Sequence, residues 1–262
     1  MDITFFGVRG STPVSGKDYV EFGGSTTSLD VITSQCQIIF DTGSGFRNIK
    51  LREDMPVFII YSHFHHDHIQ GLAFNPDLFR DRQNIYVCSA LTDKNSLKDI
   101  MRTYFGGSFF PLDVVAALDH LAFIDFAALD ALLPAGHMIA SIPLNHPGGA
   151  SGYRLTADGS SLCFFQDHEY EASEHGALRE FASHADLVVW DGMFTDAELP
   201  GKRGWGHSSV EQGVQFAADV ACKRLAIAHH APIRTDADIH AFQAEYENEI
   251  VFFAREDMAL SI

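Results

Sequence analysis

The sequence predicts one domain of the α/β (α+β) class spanning residues 1–262. Three observations lead there. Short apolar, β-branched runs recur along the chain, helical patterns lie between several of them, and histidine or aspartate stands at the ends of five runs. Strands alternating with helices pack as sheets with helices on their faces, and ligands of open α/β sheets gather beyond the carboxyl ends of strands.

In chain order, the expected strands are 3–7, 37–41, 57–62, 85–89, 152–156, 162–166, 187–191 and 225–228. Helices are expected over 91–105, 174–185 and 209–223. In the last, Val210, Val214, Ala217, Ala218 and Ala221 mark one apolar face, and Ser208 with Glu211 reads as a capping box at its start. Residues 106–150 contain Pro111, Pro134, Pro143 and Pro147 and read as a loop-rich, elaborated connection. No repeat or linker divides the chain.

The bulk properties narrow the function. Hydrophobic residues make up 46% of the chain, enough for an ordinary globular core, to which the 22 phenylalanines are assigned. Acidic residues outnumber basic ones 35 to 18, for a net charge of −17, which repels a polyphosphate backbone and argues against long nucleic acid as a partner. The four cysteines (Cys36, Cys88, Cys163, Cys222) are far apart and read as buried free thiols. The N-terminus has no secretory pattern and no run is long and apolar enough to span a bilayer, so a cytoplasmic protein without membrane contact is expected.

The densest chemistry lies in "SHFHHDH", which holds His63, His65, His66, Asp67 and His68. Imidazole and carboxylate suit zinc and related first-row ions, with manganese and iron also accepted by an all-N/O site. Two residues apart in an extended turn, His63 and His65 can point the same way, leaving Asp67 and His68 for a second centre. Asp41 ends one expected strand, Asp167 another, Asp191 a third, and His229 and His230 a fourth, while His146 lies in a loop. His146, Asp167 and His229 are the further ligand candidates for a pair of ions. The alternative for the tract alone is a solvated loop that binds metal adventitiously.

With "NHPGG" around His146, "FFQDHE" around Asp167 and "AHHAP" around His229, the chain resembles the metallo-β-lactamase-fold hydrolases. The resemblance implies an αββα four-layer sandwich, with two mixed sheets face to face, helices outside and a dinuclear site at one edge. Carried over position by position, it implies His63, His65 and His146 on one metal, Asp67, His68 and His229 on the other, and Asp167 between them. His66 falls outside the set. Both His229 and His230 are candidates for the last ligand; the H-x-x-P pattern in "HHAP" favours His229, with His230 then a supporting or substrate-facing residue.

The openings "FFGVRGSTP", "GGSTTSLDV" and "IIFDTGSGFR" resemble the phosphodiesterase branch, which includes ribonuclease Z, PhnP-like and cyclic-nucleotide phosphodiesterases. That branch implies Asp41 as support for a metal-binding histidine. It also implies that His207 in "GWGHSS" serves as proton donor or orients the scissile phosphate, its pKa expected to be pushed down by the following helix, the alternative being a polar loop histidine. Asp67 or Asp167 would orient the nucleophile, a metal-bridging hydroxide attacking phosphorus. Lys202, Arg203 and Arg9 are weaker candidates for phosphate contacts. No long basic Gly/Pro-rich insertion is present to grip a tRNA, so a small phosphodiester such as a cyclic nucleotide is the expected substrate. A carboxyl-ester, lactone or thioester hydrolase with the same metals is the alternative, and a non-catalytic metal-binding module a more distant one. Relatives are often dimers, which makes a homodimer an expectation.

Overall fold

In a computed structural model, residues 1–80, 84–171 and 173–262 are described. The strands are β1 (Asp2–Gly7), β2 (Ser28–Ile32), β3 (Gln37–Phe40), β4 (Val57–Tyr61), β5 (Ile85–Ser89), β6 (Leu121–Phe123), β7 (Met138–Leu144), β8 (Ala150–Ala157), β9 (Ser160–Phe165), β10 (Leu187–Asp191), β11 (Leu225–Ala228), β12 (Val251–Phe253) and β13 (Met258–Ser261). The α-helices are α1 (His66–Ile69), α2 (Lys94–Tyr104), α3 (Val114–Ala117), α4 (Leu129–Leu132), α5 (His175–Ala182), α6 (Val210–Val220) and α7 (Asp236–Tyr246).

One sheet has the order β13-β1-β2-β3-β4-β5-β6 and the other β12-β11-β10-β9-β8-β7. Both are mixed. Strands β3 to β6 run parallel, as do β9 to β12, and antiparallel pairs complete each sheet. The central strands β4 (VFIIY) and β10 (LVVWD) are buried at every residue, as strands covered on both faces must be. Phe40, Tyr153 and Phe164 fill the layer between the sheets, the rings of Phe40 and Phe164 stacking at 5.1 Å. Leu97 and Met101 of α2 cover the first sheet through Ile59 and Val87, while Leu178, Phe216 and Ile239 of α5, α6 and α7 cover the second through Trp190 and Ile227. The architecture is therefore helix, sheet, sheet, helix, the sandwich the motifs imply.

All eight expected strands are present. Five more are present: β6, β7, β12 and β13 lie at sheet edges, and β2 lies inside the first sheet, where Ser28 and Asp30 interrupt its apolar run. The stretch 106–150 is not mainly loop: it contains α3, β6, α4 and β7. β7 hid behind Pro143, which an edge strand tolerates because its side away from β8 has no partner. The helical cap sits one residue later than expected. Ser209 Oγ accepts from the Gln212 amide at 3.0 Å and Gln212 Oε1 accepts from the Ser209 amide at 3.0 Å. Ser208 instead donates to the carbonyl of His168, and Glu211 accepts from the Asp196 amide. The four cysteines are free and buried. No helix among the described residues is long and apolar enough to cross a membrane.

Candidate metal centre

Parallel strands put their carboxyl ends at one edge of each sheet, and the polar residues stand just beyond. Asp41 follows β3, His63 follows β4, Asp167 follows β9 and His229 follows β11. Asp41, Asp167 and His229 adopt left-handed backbone conformations, with φ of 59°, 56° and 57°. Non-glycine residues seldom do so, at a cost of about 1 kcal/mol or more each, and such strain persists where the surroundings over-determine it. These three turns bring side chains from both sheets to one buried point.

The side chains meet around Asp167. Its Oδ2 stands 3.5 Å from His63 Nε2 and 3.4 Å from His146 Nε2, and His65 Nδ1 lies 3.0 Å from that same His146 nitrogen. Its Oδ1 stands 2.8 Å from His68 Nε2 and 3.1 Å from His229 Nε2. Asp67 Oδ2 completes the second cluster at 3.3 Å from His68 Nε2 and 4.0 Å from His229 Nε2, while accepting from the Ser11 amide at 2.7 Å. The structure thus brings together His63, His65, His146 and Asp167 on one side, and Asp67, His68, Asp167 and His229 on the other.

The far nitrogen of most of these rings is held by a partner. His68 Nδ1 meets Asp41 Oδ2 at 2.8 Å, and Asp41 also accepts from the Ser62 amide and hydroxyl. His63 Nδ1 meets Ser62 Oγ at 3.1 Å, His229 Nδ1 meets Thr27 Oγ1 at 3.1 Å, and His146 Nδ1 donates to the Gly206 carbonyl at 2.8 Å. Such contacts set the ring orientation and tautomer of metal-binding histidines. Two glycines let the backbone approach these rings. A Cβ on Gly206 would lie 2.1 Å from His146 Nδ1, and one on Gly10 would lie 2.4 Å from His229 Nε2.

Four buried atoms at the centre, His63 Nε2, His68 Nε2, His229 Nε2 and Asp167 Oδ1, have no hydrogen-bond partner. Buried polar atoms are almost always satisfied, so four orphans converging on one point fit divalent cations held between them. The charges agree. Burial favours neutral Asp67 and Asp167, yet the neighbouring His68 and His229 hold both carboxyls below the usual range. Burial and then His68 push His63 well down, whereas Asp167, Asp67 and Asp41 overcome burial and push His68 well up.

The remaining candidates scatter. His66 is exposed, bonds the Tyr104 hydroxyl and belongs to neither cluster. His230 turns into the core: its Nε2 donates to the Ala254 carbonyl at 2.9 Å, its ring packs against Phe22 and Phe253, and burial lowers its pKa to about 3. Arg9 is not a phosphate contact. It is wholly buried, donating to the carbonyls of Gly23 and Arg234 at 2.7 and 2.6 Å, with Asp236 3.9 Å away. Lys202 and Arg203 line a hollow of about 200 Å³ with His207, but Glu169, Glu171 and Asp196 line it too, and Lys202 Nζ sits 3.9 Å above the Trp205 ring.

His207 lies beside the clusters, 5.5 Å from the His146 ring and 5.2 Å from the His229 ring. Its Nδ1 meets Asp191 Oδ2 at 2.8 Å. Its pKa is not lowered. Burial works against the charged ring, but Asp191, by charge and hydrogen bond, and then Asp167 and Asp67 raise it to about 9. The helix field fades within a turn, and a buried carboxylate in contact outweighs it. Asp191 is thus a site residue whose strand-end position was visible in the sequence. Thr27, Ser62 and Gly206 had no such signal.

A model of the beta-lactamase superfamily domain matches residues 37–230. Ribonuclease Z of Thermoplasma volcanium is 30% identical over 83 residues, a stretch covering 31% of this chain and 26% of that protein. The short form of human tRNase Z superposes with a TM-score of 0.69 at 19% identity, over 100% of this chain and 99% of that one. A diphosphatase from the PhnP family superposes with a TM-score of 0.72 at 17% identity, over 99% and 96% of the two chains. At those identities the two structures share the fold.

Proposed function

We propose that this chain, which belongs to the beta-lactamase superfamily of metal-dependent hydrolases, is a dinuclear phosphodiesterase acting on small phosphodiesters such as cyclic nucleotides. The observation that carries the reading is Asp167, which turns one carboxylate oxygen to each of two groups of ligand atoms. His63, His65 and His146 would hold one ion and Asp67, His68 and His229 the other, with zinc the best-suited metal and manganese or iron acceptable. Bound there, two divalent ions would neutralise charge on a phosphodiester and lower the pKa of water to about 7.

The protein's own groups do the rest. Asp67, pinned by the Ser11 amide, orients the attacking water. His207 stands charged beside Asp191 and gives its proton to the departing alkoxide. Asp41 holds the His68 ring through Nδ1. The names of similar proteins, a ribonuclease Z and a PhnP-family diphosphatase, support phosphoester chemistry, and the charge of −17 favours a small substrate over an RNA body. A cytoplasmic location and a homodimer are part of the same proposal.

The test is turnover of phosphodiesters, bis-p-nitrophenyl phosphate and a cyclic-nucleotide panel, beside lactones and thioesters, with protein of measured metal content. Phosphodiester hydrolysis that vanishes on chelation and returns with zinc or manganese is the expected result. Chelated protein that hydrolyses at the original rate refutes the reading, and preference for lactones or thioesters replaces it.

A further inference from the structure

The stretches "FFQDHE" and "GWGHSS" meet through Glu169, which closes the first of them two residues beyond Asp167. Its Oε2 accepts from the Gly204 amide at 2.8 Å and from the Gly206 amide at 2.9 Å, and its Oε1 lies 3.0 Å from the Gly204 nitrogen. Gly204 and Gly206 have φ of 77° and 81°, the left-handed region that favours glycine. Left-handed residues in a turn let neighbouring N–H groups converge on one anion. Here the anion is the protein's own carboxylate. Arg203, Gly204 and Trp205 are exposed, and glycine loses the most freedom on ordering, so this turn needs a fixed tie.

The backbone of Glu169 is tied to a second loop. Its amide donates to the Asn145 carbonyl at 2.8 Å, and Asn145 Nδ2 donates to the Glu169 carbonyl at 3.1 Å. Asn145 precedes His146, whose Nδ1 donates to the Gly206 carbonyl at 2.8 Å. The contacts close a circuit from Asn145 through Glu169 and Gly206 to the ring of His146. A carbonyl only accepts, so the proton sits on Nδ1 and the Nε2 lone pair is free for an ion beside Asp167 Oδ2, 3.4 Å away.

We propose that Glu169 is a positioning residue of the metal centre: its carboxylate sets the turn 204–206 so that the Gly206 carbonyl fixes the ring of His146 for one of the two ions. The proposal rests on the two-ion reading and extends it to a residue that touches no ligand side chain of the second ion. That ion's histidines have other supports, Asp41 for His68 and Thr27 for His229.

The test is a titration of metal-stripped protein with zinc against a chromophoric chelator, resolving the affinity of each ion. Glu169→Ala should weaken one ion on the order of 10-fold and leave the other unchanged. Glu169→Gln, whose Oε1 can still accept from both amides, should lose less. In a His146→Ala chain, Glu169→Ala should cost nothing further, because the two residues act on the same ion through one path. Native affinity for both ions in Glu169→Ala overturns the proposal. So does an equal loss of both ions, the sign of a generally loosened chain. A glutamine variant no better than the alanine one overturns it too, as does an undiminished loss in the His146→Ala chain. An unsubstituted chain that binds fewer than two ions refutes the two-ion reading, and the proposal with it.

Discussion

Replacing Asp191 with asparagine removes the charge that holds a proton on His207. In the native protein the two groups meet at 2.8 Å, out of water. The difference between an ordinary histidine near 6.5 and the value of about 9 corresponds to about 3 kcal/mol in favour of the charged ring, the sum of Asp191, Asp167 and Asp67 against burial. Asp191 contributes both the largest charge effect and a hydrogen bond, so its loss should bring the pKa back toward or below 6.5. Cations at the centre lower the starting value in the holoenzyme but leave the direction of change intact. If His207 is the acid for the leaving group, the alkaline limb of kcat/KM moves to lower pH by one to two units, on the order of 10- to 100-fold lost activity above the new pKa. The assay is a pH profile on two substrates. An alkyl leaving group needs the proton and should show the shift; a p-nitrophenyl leaving group departs without it and should lose far less. Equal losses on both substrates, or an unmoved alkaline limb, would refute the role. The same pair also sets a stability signature in the metal-free protein. A folded pKa raised above the unfolded one gives stability that is complete below about 6.5 and disappears as pH rises through about 9.

Other consequences are as direct. Asp41→Asn should weaken metal binding about 10- to 100-fold, read by competition with a chromophoric chelator, because the His68 ring loses its anionic partner. His66→Ala should retain its full metal complement by elemental analysis, while His63→Ala should not, since only the latter ring joins a cluster. Asp30 lies buried on β2 with Gln37 Nε2 at 2.8 Å, and burial raises its pKa to about 7. Its ionisation therefore costs the native state stability as pH rises from about 4 to about 7, and Asp30→Asn should stabilise the protein at pH 8 by up to about 4 kcal/mol, measured by urea unfolding, with little gain at pH 4.

How much of this was legible in the sequence depends on which physical signal each part leaves. Strands buried on both faces, such as β4 and β10, announce themselves as continuous apolar runs, but β2 (SLDVI), equally interior, was missed because Ser28 and Asp30 interrupt its run. Edge strands do not announce themselves: β7 alternates and contains a proline, and β12 is three residues long. The metal-site candidates were legible because costly polar side chains stood at strand ends. Their left-handed backbone was not, since aspartate and histidine carry no glycine's signature. His207 does lie beside the clusters, but its pKa was misjudged because sequence shows the neighbouring helix and not the carboxylate that β10 brings within reach. Arg9 had the right charge and stands in a Gly-rich turn, yet it is wholly buried, with carbonyls from remote segments taking its Nε and Nη1 donors. The exposure of Phe74 and Phe109 was not visible, because a phenylalanine outside the core reads like one inside it until the chain folds.

The proposed function requires two ions, shared by Asp167, for phosphodiester hydrolysis. The most direct measurement is a titration of metal-stripped protein with zinc or manganese, following bound ions per chain by elemental analysis and phosphodiester turnover in the same samples. Two ions per chain are expected, with turnover reaching its plateau at the second equivalent and Asp167→Asn failing to reach it. Full turnover at one equivalent, or in the stripped protein, would contradict the proposed function.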